Sequence, residues 1–399
     1  MNAEKKRKRI RNMLEYLVLL AKHLLLTPVS RLLYGKKHVW IISERGTDAR
    51  DNGFHFFRYV RNKHPEQNAY YIIDKKSADY PKVSALGNTV QMGSLKHWLL
   101  FLGAEMRIST HINGYVPGKH WRYRDFVSHE QKIRAKVVFL RHGIGKDNVR
   151  GHYRDRTNIR LFLCGAKREY DYVLSHYGYS REEVKYTGLA RFDSLHGFRT
   201  KRQVLIMPTW RDWLSPDFSG RGLSEQEIRD SLYVQRWSSL LGNGRLRALA
   251  EKYHVAFIFY PHYEMQRFLS LFPQGDEAVV IADFAHYDVQ QLLKESMLLI
   301  TDFSSVFFDF AYMHKPTLYY QFDEDEYRAH HYAQGYFDYR RDGFGEVVTD
   351  DATLLELLER YLADDCRMQP EYQRRIEGFF PLHDDKNCER IYNEIRKLQ

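Results

Sequence analysis

The stretch Leu299-Ile-Thr-Asp-Phe-Ser-Ser-Val-Phe-Phe-Asp-Phe310 runs from apolar residues through a short polar turn into a second apolar segment. Its first residues predict a buried strand that ends at Thr301, and its second apolar segment predicts a helix over about 304–313. A buried strand that is followed at once by a helix is the repeating unit of a parallel α/β sheet. This stretch therefore predicts the fold class of the region around it.

The same alternation of apolar strands and helices recurs along the 399 residues in two series. Two series in tandem predict an α/β protein with two Rossmann-like domains that face a cleft, and the change between them falls near 180–200. We predict an N-terminal segment over 1–35, a first domain over 36–190, and a second domain with C-terminal helices over 191–399. The predicted strands lie at 38–43, 69–74, 106–109, 136–140, 204–207, 255–259, 279–282, 297–301 and 317–320, and the helices at about 53–63, 94–103, 228–252, 263–271, 288–295, 304–313 and 351–398.

Composition and charge narrow the classes of function. Apolar residues make up 44% of the chain, so each domain can bury a core, and a disordered chain is excluded. The three cysteines, Cys164, Cys366 and Cys388, form no C-x-x-C pair, which favours a reducing, cytoplasmic setting. The formal net charge is +10. A charge of this sign favours nucleic acid, an anionic membrane or phosphate-bearing small molecules as partners.

The densest basic cluster lies at 4–11 and is followed directly by an apolar helical stretch over 13–26. Glu15, Lys22 and His23 interrupt that stretch, so it is too short and too charged to predict a spanning helix. Because no small-residue cleavage site follows, we expect no cleaved signal peptide. A basic cluster beside an amphipathic helix predicts a peripheral anchor on the anionic, cytoplasmic face of the cell membrane. The alternative is a helix that packs on its own domain.

Polar residues that directly follow predicted strands are the candidates for chemistry, because the carboxyl ends of parallel strands meet at one edge of a sheet. Asp302 follows the strand that ends at Thr301, and Ser304 and Ser305 open the predicted helix. The free N–H groups of a helix N-terminus, together with two hydroxyls, suit an anionic phosphate. Ordinary helix capping by Asp and Ser is the alternative.

Two histidines follow other predicted strands. His142 is followed by Gly143 and Gly145, which would let the backbone turn sharply and approach a ligand closely. A histidine at such an edge can act as a general base near neutral pH. His262 is a second candidate of the same kind. For both residues, a structural histidine bonded to a nearby carbonyl is the alternative.

Two further segments carry residue types that bind phosphate. In Met207-Pro-Thr-Trp-Arg-Asp212, Thr209 can donate a hydrogen bond to a phosphate and Arg211 can pair with one. In Thr187-Gly-Leu-Ala-Arg-Phe-Asp193, Arg191 is a candidate diphosphate clamp, with an interdomain salt bridge as the alternative.

Taken together, these segments resemble the CDP-glycerol glycerophosphotransferase family, which comprises teichoic-acid primases and polymerases. Residues 301–309 are similar to that family's TDYSS-x-x-FD motif, and residues 208–212 match its PTWR motif with the Asp that follows. Residues 187–193 are similar to its TG-x-x-R-x-D motif. His142-Gly143 and His262 stand at the family's two histidine positions.

The resemblance runs from about 36 to 345 and implies a glycosyltransferase B fold, with the acceptor held by the first domain and a CDP-polyol by the second. It also implies that His142 and His262 are the essential pair. The family's usual HGTP-x-K sequence reads His-Gly-Ile-Gly-Lys over 142–146, so the Thr-Pro is absent, which bears on the choice of polyol or acceptor. The implied donor-site residues are Gly143, Ile144, Gly145, Lys146, Arg191, Pro208, Thr209, Arg211, Asp302, Ser304, Ser305 and Asp309.

The reaction that the resemblance implies is transfer of glycerol phosphate, or a related polyol phosphate, from CDP-glycerol to a hydroxyl of a teichoic-acid, capsular or lipid-linked glycan. CMP would leave. His142 would remove the hydroxyl proton, and His262 would bind the phosphoryl oxygens or the polyol. Ser304, Ser305 and Arg191 would stabilise negative charge on the diphosphate.

Candidates for acceptor contacts follow the first predicted strand, namely Glu44, Arg45, Asp51 and Asn52. Loop solvation and helix capping are the alternative for these residues. Thr110, His111 and Asn113 follow another strand and carry the same two interpretations.

Metal ligands are not indicated by the sequence. No D-x-D or His/Cys cluster with metal-ligand spacing follows a predicted strand, so we expect no obligatory metal, although Mg²⁺ can accompany the nucleotide. The acidic run Asp323-Glu-Asp-Glu326 is interpreted as a solvated surface.

Other functions compatible with the sequence are a glycosyltransferase of the same architecture that uses a nucleotide sugar, and a ribitol-phosphate transferase that uses CDP-ribitol. The charge and the 29 tyrosines also raise binding to nucleic acid or another anionic polymer. Against this, the densest basic cluster lies at the extreme N-terminus beside an apolar helix. We therefore predict no nucleic-acid partner.

Overall fold

The computed structural model describes residues 3–129, 135–215, 223–330 and 333–399, and omits the side chains of residues 3–6 and 8. Several cations of the basic cluster at 4–11 therefore lie outside the described side chains.

The strands in chain order are β1 (Trp40–Ser43), β2 (Ala69–Ile73), β3 (Thr89–Gln91), β4 (Met106–Ser109), β5 (Lys136–Phe139), β6 (Asp147–Asn148), β7 (Ile159–Cys164), β8 (Val184–Tyr186), β9 (Gln203–Ile206), β10 (Ala256–Phe259), β11 (Val279–Ile281), β12 (Leu298–Thr301), β13 (Thr317–Tyr320), β14 (Ala333–Gln334) and β15 (Val347–Val348).

The described α-helices are α1 (Ala3–Tyr34), α2 (Asn52–Lys63), α3 (Tyr80–Ser84), α4 (Leu95–Gly103), α5 (Trp121–His129), α6 (Lys167–His176), α7 (Glu225–Arg229), α8 (Leu232–Gly242), α9 (Gly244–Tyr253), α10 (Val289–Glu295), α11 (Phe307–Tyr312), α12 (Glu324–His330), α13 (Tyr339–Asp342), α14 (Asp351–Ala363), α15 (Pro370–Phe379) and α16 (Asn387–Arg396).

Two parallel sheets confirm the predicted α/β class. The first has seven strands in the order β3-β2-β1-β4-β5-β7-β8, and the second has six in the order β11-β10-β9-β12-β13-β15. The ladders of both sheets are parallel. A separate antiparallel pair joins β6 to β14. Each large sheet has the topology of a Rossmann-like domain, in which sites form at the carboxyl ends of the strands.

The first sheet is covered by apolar side chains on both faces. In β1, Ile41 packs in one core cluster, whereas Trp40 and Ile42 pack in another. Successive residues of a strand point to opposite faces, so a strand that is apolar at every position is buried on both sides. The second sheet has a comparable cluster that includes Val204, Phe257 and Trp237.

The domain boundaries differ from the predicted break at 190/191. The first compact unit comprises Met1–Ile144, Arg150–Ser194 and Asp384–Gln399, and the second comprises Gly145–Val149 and Leu195–His383. The C-terminal helix was predicted with the second domain, and a short piece after His142 was predicted with the first.

The C-terminal helix α16 lies in the first unit because its apolar side fills that unit's core. Ile391 packs in the same cluster as Trp40. The carboxylate of Asp193 accepts a hydrogen bond from the backbone N–H of Asn387 at 2.8 Å. Gly188 has a φ of +76°, and a Cβ there would overlap the Asn387 side chain, so glycine is required at this contact.

Helix boundaries also differ locally from the prediction. The single helix predicted over 228–252 is divided into α7, α8 and α9, because the side chains of Ser231 and Asn243 cap new helices. The helix predicted from residue 304 begins at Phe307 and has only 6 residues.

Helix α1 packs against α4 and α5 on one side, where His23 Nδ1 lies 3.0 Å from the hydroxyl of Tyr123. Its other side is apolar and exposed. By length and composition alone, Arg9–Tyr34 could cross a membrane, a property shared by some core helices and signal sequences. This differs from the prediction of a segment too short and too charged to span. The exposed apolar residues of α1 are Ile10, Met13, Leu14, Leu17, Val18, Leu24, Leu25, Val29, Leu32 and Leu33.

Candidate active site

In the first unit, the backbone turns sharply at the end of β5. Arg141 itself takes the left-handed conformation, with a φ of 64°, whereas Gly143 and Gly145 do not. The buried side chain of Arg141 pairs with Glu169 at 3.1 Å, and its carbonyl accepts from Asn52 Nδ2 at 2.8 Å. These bonds fix the residue that precedes His142.

His142 presents its imidazole to solvent, with 57% of the side chain exposed. Its Nδ1 lies 2.5 Å from Oδ2 of Asp51, and the other oxygen of Asp51 lies 2.6 Å from Nη1 of Arg191. Arg191 also donates to the carbonyl oxygen of His142. Three residues from separate parts of the chain therefore converge at this strand end.

The electrostatics of this group keep Asp51 ionised. Burial acts to raise the pKa of the Asp51 carboxyl, but the charges of His142 and Arg191 outweigh it, so the pKa lies below its ordinary value. The ring of His111 lies 4.9 Å from that of His142. Burial, followed by the charges of His142 and Arg45, lowers the pKa of His111 to about 3, so His111 is neutral.

The predicted acceptor contacts have other partners. Asp51 caps helix α2 through Asn52 N at 2.7 Å, in addition to its contact with His142. Asn52 is fully buried, and its Oδ1 accepts from Arg191 N at 3.0 Å. Arg45 pairs with Asp48 at 3.0 Å. Capping, the alternative interpretation, describes Asp51, whereas Asn52 is held by the backbone of Arg141 and Arg191, and Arg45 is held by Asp48.

Glu44 is also held inside the first unit. Its carboxylate accepts hydrogen bonds at 2.9 Å from the backbone N–H groups of Arg50, Asp51 and Phe54. Burial, followed by repulsion from Asp51 and Asp48, raises the pKa of Glu44 to about 8. At 1% exposure this side chain organises the start of α2 and does not face an acceptor.

Arg191 also differs from its predicted role. Its guanidinium is only 13% exposed and is engaged by Asp51 and the His142 carbonyl. The salt bridge that was the alternative for this residue exists, but it lies within the first unit. A direct diphosphate clamp is not what these contacts describe.

In the second unit, Arg211 forms a fully buried ion network. It lies 2.9 Å from Asp302 Oδ2 and 2.8 Å from Asp323 Oδ2, with no exposed side-chain surface. The N–H groups of its guanidinium are engaged by these carboxylates and by the carbonyls of Thr209 and Trp210, so the described arrangement includes no direct contact of Arg211 with a phosphate. Asp323, interpreted above as part of a solvated acidic run, is instead a buried partner.

Asp302 holds the strand ends of the second sheet together. Its Oδ1 accepts from the backbone N–H groups of Thr209 at 2.8 Å and Phe303 at 2.6 Å. Burial raises the pKa of Asp302, and the charge of Arg211 opposes this only in part. Asp302 thus fixes the positions of Thr209 and the following turn, and is not itself exposed.

His262 stands at the start of the 3₁₀ helix Tyr263–Leu271 and is half-buried. Its Nδ1 accepts from the backbone N–H of Glu264 at 3.3 Å, and the backbone N–H of His262 donates to the carbonyl of Pro208 at 3.1 Å. The ring stacks on Trp210 with centroids 5.8 Å apart. His262 and the segment around Thr209 are therefore neighbours.

Ser304 and Ser305 lie in a partly exposed turn that precedes α11. The helix begins at Phe307 with Val306 as its N-cap, so neither serine opens it as predicted. The hydroxyl of Ser304 accepts from Val306 N at 3.4 Å. Asp309 is 3% exposed and lies inside the helix.

Lys146 is buried in the second unit and pairs with Asp147. Arg328 donates to the same carboxylate at 2.8 Å, and Lys146 lies 5.6 Å from the ring of Tyr339. Ile144 is also buried. A direct contact of Lys146 with a donor phosphate is therefore not part of the described arrangement.

The structure brings the predicted site residues together in two groups, one in each unit. His142, Asp51, Asn52 and Arg191 come together in the first unit, and Thr209, Arg211, Asp302 and His262 in the second. Among the described residues, no three His, Cys, Asp or Glu side chains are arranged to hold a metal ion. The expectation of no obligatory metal stays a prediction.

Sequence comparisons identify relatives over nearly the whole chain. The minor teichoic acid biosynthesis protein GgaB of Bacillus subtilis (strain 168) is 33% identical over 92% of this chain and 40% of its own length. The teichoic acid poly(glycerol phosphate) polymerase of the same organism is 24% identical over 93% of this chain and 50% of its own length. The chain thus spans about half the length, or less, of these curated relatives.

Structural comparison matches the wall teichoic acid polymerase TagF with a TM-score of 0.67 and 16% identity, over 100% of this chain and 98% of that chain. A TagF structure obtained with a CDPG soak matches with a TM-score of 0.66. The likeness confirms the predicted fold of two Rossmann-like domains of the glycosyltransferase B type. Residues 25–397 match the CDP-Glycerol:Poly(glycerophosphate) glycerophosphotransferase family, and the chain belongs to that family.

Proposed function

We propose that this chain transfers glycerol phosphate, or a related polyol phosphate, from CDP-glycerol to a hydroxyl of a teichoic-acid, capsular or lipid-linked glycan. The observation that carries the proposal is the family match over 25–397. The names of the relatives, which are teichoic acid biosynthesis proteins and polymerases, support the class of acceptor.

In the proposed reaction, the acceptor oxygen attacks the phosphorus that carries glycerol, and the bond from that phosphorus to the CMP oxygen breaks. His142 takes the hydroxyl proton at Nε2. Its exposure of 57% and its place at a strand end support this role. CMP leaves with its phosphate ionised, and His142 then gives the proton to solvent.

His262 acts as a donor in this scheme. Because Nδ1 accepts from Glu264 N, the neutral ring carries its proton on Nε2. A ring in that tautomer can donate a hydrogen bond to a phosphoryl oxygen. The hydroxyls of Thr209, Ser304 and Ser305 are further candidate donors to the diphosphate.

We also propose that helix α1 attaches the protein peripherally to the cytoplasmic face of the cell membrane. Leu24 and Leu25 are 71% and 73% exposed on its outer side. Exposed apolar side chains next to a basic cluster suit an anionic lipid surface. Burial of a leucine side chain in lipid contributes about 1.5–3 kcal/mol.

Vesicle sedimentation tests the membrane proposal. We expect Leu24→Gln/Leu25→Gln to lower binding to anionic vesicles at least about tenfold. Leu232→Gln, at an exposed leucine of α8, is the matched control. Equal binding of both variants would contradict the proposal, and resistance of the wild-type chain to alkaline extraction would indicate a spanning helix instead.

Donor competition tests the enzymatic proposal. The chain is mixed with CDP-glycerol, CDP-ribitol or a UDP-sugar, each with lipid-linked and soluble glycan acceptors, and nucleotide release is measured. We expect CMP release from CDP-glycerol that depends on the acceptor. Consumption of the UDP-sugar with CDP-glycerol left intact would favour a glycosyltransferase. A preference for CDP-ribitol would identify ribitol phosphate as the transferred group.

A further inference from the structure

The two residues that sequence reasoning assigns to substrates, Asp51 to the acceptor and Arg191 to the diphosphate, instead contact His142. Asp51 Oδ2 lies 2.5 Å from His142 Nδ1, and Arg191 holds the other carboxylate oxygen at 2.6 Å. The Asp51 side chain is about 10% exposed and that of Arg191 13%. Both are therefore placed to act through the histidine and not on a substrate directly.

We infer that Asp51 is a positioning residue that fixes the tautomer and orientation of His142, and that Arg191 and Asn52 fix Asp51 and the backbone on both sides of the histidine. The inference rests on the proposed role of His142 as the base. It replaces the acceptor and diphosphate roles of Asp51 and Arg191.

The tautomer follows from hydrogen-bonding chemistry. An ionised carboxylate can only accept hydrogen bonds, so Nδ1 of His142 must be the donor to Asp51. In the neutral ring the remaining nitrogen, Nε2, then carries a lone pair and no proton. The acceptor hydroxyl gives its proton to that lone pair while the new oxygen–phosphorus bond forms, and Asp51 stabilises the imidazolium that results.

The orientation follows from the contacts around the ring. Arg191 donates to the carbonyl of His142 itself, and Asn52 Nδ2 donates to the carbonyl of Arg141 at 2.8 Å. Asn52 Oδ1 accepts from Arg191 N at 3.0 Å, so the two residues that hold this backbone are also bonded to each other. The base is thus held by hydrogen bonds to its ring, its own carbonyl and the preceding carbonyl.

The other titratable groups beside the ring do not offer a competing partner. His111, with its ring 4.9 Å away, is neutral because burial lowers its pKa to about 3. The carboxylate of Glu44 is occupied by backbone N–H groups of the loop and helix that carry Asp51. Asp51 is therefore the carboxylate that fixes the tautomer of the His142 ring.

Asp51→Asn tests the inference with little risk to the fold, because asparagine is also a good helix N-cap. An asparagine amide can donate to Nδ1, which would favour the opposite tautomer and place the proton on Nε2. We expect kcat for CMP release to fall on the order of 10²–10⁴-fold, with KM for CDP-glycerol changed by less than about threefold. The matched control is Asp48→Asn, on the same loop without contact to His142, which should keep most of the turnover.

A second readout does not depend on activity. With ¹⁵N-labelled histidine in the full chain, the signals of His142 are those missing from His142→Ala. We expect the Nδ1-protonated tautomer in the wild type and a shift toward the Nε2-protonated tautomer in Asp51→Asn. An unchanged tautomer, or turnover equal to that of Asp48→Asn, would overturn the inference. If the wild type releases no CMP, the proposed function fails, while the tautomer measurement still decides the role of Asp51.

Discussion

Two buried aspartates, one in each unit, each pair with an arginine, but the two ion pairs differ in what else they contact. Asp51 lies 2.6 Å from Arg191, and Asp302 lies 2.9 Å from Arg211. The first pair continues to the exposed ring of His142, whereas the second is closed by Asp323 and has no exposed side-chain surface. A buried ion pair alone therefore does not identify a site; what matters is whether its hydrogen bonds lead to a group that solvent reaches.

Removal of Arg211 should give the largest effect on stability. In Arg211→Met, two buried carboxylates lose their cation, and we expect the free energy of unfolding to fall by about 3–5 kcal/mol. Urea denaturation measures this. Arg202→Met, which breaks an exposed pair with Asp365, is the control and should cost at most about 1 kcal/mol. Equal losses in the two variants would mean that the buried network is not structural.

A smaller loss is expected where β6 and β14 meet in the second unit. A Cβ on Gly335 would overlap the carbonyl oxygen of Lys146 and lie 3.0 Å from the Asp147 carbonyl carbon. Gly335→Ala must push these backbones apart, so we expect a loss of about 1–3 kcal/mol. Gly378→Ala in α15 meets no atom within 4 Å and should leave stability unchanged or slightly higher. Thermal unfolding of both variants checks the difference.

The two aspartates should respond to pH in opposite directions. The pKa of Asp51 is below its ordinary value of 3.8 in the folded chain, so its stabilising contribution is present above pH 3.8 and is lost as the pH falls further. The pKa of Asp302 is raised above 3.8, so its contribution is present below pH 3.8 and is lost as the pH rises. Each slope is at most about 1.4 kcal/mol per pH unit.

The free energy of unfolding, measured against pH, separates the two cases. Asp51→Asn should remove the loss of stability that the wild type shows as the pH falls below 3.8. Asp302→Asn should remove the loss of stability that the wild type shows as the pH rises above 3.8. The same slope change in both variants would contradict the comparison between the two units.

The strands and the residues at their ends follow from local patterns, because apolar β-branched runs specify buried strands wherever they occur. The partners of those residues could not be predicted, since they depend on which distant segments the fold brings together. Asp51 is 91 positions from His142, and Arg191 is 140 from Asp51. The burial of Asp323 could not be predicted either, because only its pairing with Arg211, 112 positions away, distinguishes it from the acidic residues beside it.

The central claim is that a histidine at the end of β5 is the base of a phosphoryl transfer, and turnover of His142→Ala tests it most directly. With CDP-glycerol and a glycan acceptor, the account predicts that CMP release falls on the order of 10²–10⁴-fold while the unfolding transition stays in place. His176→Ala, at an exposed histidine of α6, should keep its turnover. Full turnover in His142→Ala would contradict the account.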